Sequence, residues 1–150
     1  MKLFVPFFVT LLALPFNGCA MVTSNLEEFI NADGIYKIVT PENFNEKNKD
    51  KCINITSLDI KDGLIHASKN LEQIQYVLQK FFTQSTKVTI VALDKTSLEK
   101  AGFEVKEEKG FPHIYDSTKA FHIPFNTVKK IFYLIKEKNI WQIDNAIIRN

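Results

Sequence analysis

Residues 62–82, DGLIHASKNLEQIQYVLQKFF, change their periodicity part-way along, and that change decides the fold. The first part, Leu64 to Ser68, reads as an extended piece after the Asp62-Gly63 turn. From Ser68 onward Leu71, Ile74, Val77, Leu78, Phe81 and Phe82 recur at three- and four-residue intervals, the spacing of a single helical face. Ser68 or Asn70 can cap this helix by accepting a hydrogen bond from a free first-turn amide. A strand feeding one good amphipathic helix is therefore the centre from which the rest is read.

Outward from that centre the chain is mostly strand. GIYKIVT (34–40) is β-branched and aromatic and is stopped by Pro41, where a short helix over PENFNEKNKDK is expected to start. INITSLDIKDG (53–63) alternates loosely and reads as a short strand or extended loop. KVTIVALD (87–94) is an apolar run suited to a central strand buried on both faces, and KTSLEKAG gives one or two helical turns closed by Gly102. FEVKEE and the returning FPHIYD form a hairpin, IPFNTVKKIFYLI supplies a last strand from about residue 129 to 135, and residues 137–150 form a tail that a helix would suit. Strands around one main helix, without regular βαβ alternation, indicate an α+β fold with a small mixed or mainly antiparallel sheet. The domain is expected over 34–136, after a polar leader at 21–33.

The first twenty residues differ from the rest. Lys2 is their single charge, and an apolar run from Leu3 to Phe16 ends at Asn17 and Gly18. The run falls short of the roughly 20 apolar residues of a membrane span and has the form of a signal peptide. Gly18 and Ala20 suit ordinary signal cleavage, whereas Phe16-Asn17-Gly18-Cys19 is a loose lipobox that would put a lipid anchor on Cys19. The expected location is outside the cytoplasm: periplasmic, secreted or membrane-anchored. Either processing route leaves Cys52 as the sole thiol of the mature chain, so no internal disulfide is expected.

Nineteen basic against seventeen acidic residues leave a formal charge of +2, which gives no support to a nucleic-acid partner. The five glycines form no phosphate loop, no Gly-x-Ser-x-Gly is present, and neither His-x-x-x-His nor a Cys pair offers a zinc site. Three histidines remain. His66 shares a strand face with Leu64 and Ser68, presenting an imidazole beside a hydroxyl. His113 and Tyr115, two apart, project to one side of a strand. Ordinary packing competes with a site at both places. His122 has no partner by spacing and is expected to be structural, as is Cys52 at a strand edge.

Five blocks, IYKIVTPENF, SLDIKDGLIHAS with its helix, VTIVALDKTSL, VKEEKGFPHIYD and IPFNTVKKIFYL, together resemble the family of domain of unknown function 952 over roughly residues 35–135. The fold of that family has been likened to the ADP-ribosyltransferase superfamily, whose split sheet holds a nicotinamide dinucleotide (NAD) in a cleft. The resemblance implies a site of His66, Ser68, Glu107 or Glu108, His113 and Tyr115, with Tyr36, Lys37 and His66 toward the cofactor. Lys37 stands where the family carries histidine, and a lysine donates hydrogen bonds without accepting them. The functional expectation is an exported module that binds a small-molecule ligand or protein partner. The alternative is an enzyme of the ADP-ribosyltransferase type using NAD.

Overall fold

A computed structural model of the chain describes residues 21–22, 24–44, 52–120 and 122–149. The signal-peptide and Cys19 readings, and most of the helix expected after Pro41, lie outside these residues; residues 41–43 form a turn. The architecture is α+β, with three sheets and three α-helices among the described residues.

The main sheet has the order β1 (Met21–Val22), β10 (Ile140–Ile148), β9 (Val128–Glu137), β5 (Lys87–Leu93), β2 (Tyr36–Val39). All pairings in it are antiparallel except β1 with β10. A second sheet orders β4 (Ile65–His66), β7 (Phe111–Asp116) and β6 (Phe103–Glu108), and β3 (Cys52–Asn54) pairs with β8 (His122–Pro124). The helices are α1 (Ser57–Asp62), α2 (Leu71–Phe81) and α3 (Lys95–Lys100).

Strand alternation sends the two faces of the main sheet into two cores. Tyr36, Ile38, Ile90, Phe132 and Trp141 pack with Ile74 and Leu78 of α2 and with Leu26. Val39, Val91 and Ile131 pack on the other face with Ile65 and Ile114 of the second sheet and with Ile53 and Ile123. Central strand β5 is thus buried on both faces over Val88–Val91, as its apolar run requires. Lys37 falls on the face that points between the sheets, at a position where alternation calls for an apolar residue.

Three local readings are corrected. Residues 57–62 are helix, not strand: Thr56 caps the Asp59 amide while the Asp59 side chain takes the Thr56 amide, a capping box, and Gly63 closes the helix at φ 71°. Residues 140–148 are strand, not helix, because Lys138 and Asn139 at φ 49° and 64° reverse the chain and β10 pairs along β9 from Ile140 to Ile148. The polar leader is part of the packed body, since Leu26 is buried in the α2-side core.

Trp141 is fully buried and is the largest such side chain, and its Nε1 has no hydrogen-bond partner among the described residues. Trp141→Ala is expected to lower unfolding free energy by about 3–5 kcal/mol. Trp141→Phe should cost clearly less, because no hydrogen bond goes with the indole. Urea denaturation of both variants measures this; equal, small losses would mean that the C-terminal strand is not part of the cooperative unit.

Candidate functional site

β2 is an edge strand of the main sheet, and among the described residues one isolated bridge joins its free side to Ser68, just beyond β4. Tyr36 and Ser68 exchange backbone hydrogen bonds of 2.8 Å in both directions, and the Gly34 amide donates to the Lys69 carbonyl at 2.8 Å. Gly34 is required here by space, since a Cβ would come within 2.2 Å of the Tyr36 ring. Beyond the bridge a side chain spans the gap, with Lys37 Nζ donating to the His66 carbonyl at 3.0 Å. A cleft of about 620 Å³ lies there, walled by Leu58 of α1, Tyr76, Val77 and Phe81 of α2, and Phe111 of β7. Tyr76 and Phe81 are about half exposed, and the Tyr76 and Phe111 rings sit with centroids 6.1 Å apart.

The polar floor is organised by Asp59, which has no exposed surface. Its Oδ2 accepts from Lys37 Nζ at 2.6 Å, from the Thr56 amide at 2.9 Å and from the Thr56 hydroxyl at 2.7 Å. Its Oδ1 accepts from the His66 amide at 2.9 Å and faces His66 Nδ1 at 2.9 Å. Burial opposes ionisation of Asp59, but the His66 hydrogen bonds and the Lys37 charge together outweigh it and hold the carboxyl well below the usual carboxylate range. Burial likewise pulls Lys37 down, with the Asp59 charge and hydrogen bond acting against the shift. An ionised carboxylate only accepts, so His66 Nδ1 carries a proton and donates it to Asp59. Nε2 is left on the cleft side, 3.3 Å from Asp62 Oδ2, with the imidazole about one-third exposed.

The residues singled out in the sequence divide between this cleft and its surroundings. Tyr36, Lys37, His66, Ser68, Glu108 and His113 line it. Lys37 is committed to Asp59, Ser68 is buried at the bridge, and the Tyr36 hydroxyl accepts from the Asn31 amide at 2.8 Å. His113 pairs with His66 across β7 and β4, rings edge to face at 5.4 Å, and its buried Nδ1 has no partner among the described residues. Glu107 points to the opposite side of β6 and pairs with Lys69 at 2.8 Å in a second, smaller hollow of about 420 Å³. Tyr115 does not reach the cleft lining; its hydroxyl donates to Glu108, and this hydrogen bond raises the phenol above its ordinary range. His122 is exposed on β8, and Cys52 lies half-buried opposite Pro124. Among the described residues no cluster of three or more His, Cys, Asp or Glu is placed to hold a metal.

Sequence reading missed Asp59, Asp62 and Tyr76. Thr56-x-x-Asp59 followed by Gly63 was the available signal, a helix start and stop seven residues apart.

A family profile described as "Protein of unknown function (DUF952)" matches residues 38–131, more than half of the chain. The chain belongs to this family. The DUF952 match contains Asp59, His66, Glu108 and His113, and begins one residue after Lys37. The crystal structure of protein CC0527 from Caulobacter crescentus is similar to the chain at 22% identity and a TM-score of 0.56, covering 70% of this chain and 89% of that one. The solution structure of CC0527 gives 0.54 at 22% identity, covering 71% and 88%. At this identity the likeness speaks for a shared fold. No curated protein matches the sequence.

The Asp59 network makes two predictions. Asp59→Asn strands the Lys37 ammonium in the interior with the His66 carbonyl and should cost about 3–5 kcal/mol. Lys37→Met leaves Asp59 its Thr56 and His66 donors and should cost less. The double variant should cost less than the sum of the two by about 0.5–3 kcal/mol, read from a denaturation cycle; strict additivity would show the pair to be uncoupled. The Asp59 carboxyl titrates lower in the folded than in the unfolded chain, so its contribution is complete above the unfolded value of about 4. Wild-type stability should fall as pH drops below about 4, and this acid loss should shrink in Asp59→Asn.

Proposed function

We propose that the protein is a small-ligand-binding module whose ligand occupies the cleft between α1, α2 and the paired strands β4 and β7. One observation carries the reading: a fully buried carboxylate, Asp59, neutralises Lys37 and holds the His66 imidazole with Nε2 toward a cleft walled by exposed aromatic rings. A ligand pocket needs a few fixed polar groups on an apolar surface, and this cleft has both. A planar group would lie against Tyr76 and Phe111 while a polar edge meets His66.

A second reading is supported by the placement of Glu108 in the same cleft as His66. In an ADP-ribosyltransferase-like enzyme, Glu108 would stabilise positive charge developing on the ribose of NAD, with His66 and Ser68 orienting the dinucleotide. The export reading of residues 1–20 joins the first proposal, since a binding module outside the cytoplasm needs no nucleotide supply.

Thermal-shift and ligand-observed NMR screening against aromatic fragments and millimolar NAD separates the readings. At a hundredfold excess over Kd a ligand adds about 2.7 kcal/mol to stability, and His66→Ala should abolish that gain while the variant stays folded. Stabilisation by fragments alone supports the binding module; stabilisation by NAD, with loss in Glu108→Gln, supports the second reading. No binder in either group would reject both.

A further inference from the structure

With a neutral imidazole at His66, the floor of the cleft presents two hydrogen-bond acceptors to one point. His66 Nδ1 faces the Asp59 carboxylate at 2.9 Å and donates to it, so in the neutral imidazole Nε2 has only a lone pair to offer. Its nearest charged neighbour is Asp62 Oδ2 at 3.3 Å, another acceptor, from a side chain 40% exposed at the end of α1. Two lone pairs this close repel each other unless a donor lies between or beside them. Lys37 Nζ is committed elsewhere, to Asp59 Oδ2 at 2.6 Å and the His66 carbonyl at 3.0 Å. Besides the Lys37–Asp59 pair, the charged cleft-lining residues are Asp62, Glu108 and Lys109, so the lining carries an excess of negative charge.

We propose that Asp62 and His66 form a donor-selective subsite that takes an ammonium or other N–H-bearing group attached to an aromatic ring, and discriminates against a carboxylate or phosphate at that position. The inference rests on the ligand-binding reading of the cleft and names the chemical class of the inner end of its ligand. Tyr76 and Phe111 hold the ring, Asp62 supplies the charge, and His66 Nε2 accepts the second hydrogen bond. Selectivity comes from what a wrong ligand leaves behind. An anion would meet two acceptors with no donor, and binding it would require desolvating Asp62 without compensation.

Three probes of similar size test this: benzylamine, benzyl alcohol and benzoate, each titrated into the wild-type chain and Asp62→Asn, with the His66, Tyr76 and Phe111 NMR signals as the readout. Asp62 is exposed and lies outside the Asp59 hydrogen bonds, so the variant should unfold at the wild-type urea midpoint. Benzylamine is expected to bind on the order of tenfold or more tighter than benzoate, the worth of one charge-assisted hydrogen bond, with benzyl alcohol between them. In Asp62→Asn the ratio should collapse toward one. Probes that bind alike, or a ratio that survives Asp62→Asn, would overturn the subsite while leaving a ligand cleft in place; the Asp62–His66 pair would then close on itself as an ion pair. Failure of every probe to move the three signals would overturn both the subsite and the cleft reading beneath it.

Discussion

A single buried carboxylate ties the second sheet, the first helix and the edge of the main sheet together. Asp59 begins as an element of local structure, the third residue of α1 closing a capping box with Thr56. The same oxygens then reach two other elements, Lys37 of β2 and His66 of β4. Desolvating a carboxylate is unfavourable enough that only such complete pairing keeps it inside. The arrangement therefore fixes where α1 sits and what Lys37 does. It also determines which nitrogen of His66 faces outward.

The cleft is a consequence of how β2 and β4 meet. Among the described residues one backbone bridge, Tyr36 with Ser68 just beyond β4, joins the sheets, and from there the Lys37 side chain, not a hydrogen-bonded ladder, reaches β4. A continuous ladder would have closed the space and covered the imidazole. Lys37 fits this design: a position that alternation assigns to the interior holds a cation because Asp59 is there to receive it. The residue that departs from the family-like pattern in the sequence is thus a partner within the floor, and its ammonium is not free to hold a ligand phosphate.

Hydrophobic periodicity made α2, β5 and the β6–β7 hairpin legible, because each of these elements buries a face whose spacing is written in consecutive residues. The α+β class followed from their order. Two segments misled. Residues 57–62 carry few apolar residues, so their helix is set by its caps rather than by a stripe. Residues 140–148 are exposed along much of their length, so their strand depends on pairing with β9 and on the turn at Lys138-Asn139.

Residue type and spacing in the sequence put His66 on a strand face with Ser68 and set His113 and Tyr115 on one side of another strand, and the resemblance grouped these with Glu107 or Glu108. Only the tertiary structure decided that Glu107 and Tyr115 stand outside the cleft while Asp59, Asp62 and Tyr76 shape it. The reason is physical. Which face a strand residue presents follows from local alternation, but which carboxylate becomes dry enough to command its neighbours depends on packing between elements distant along the chain.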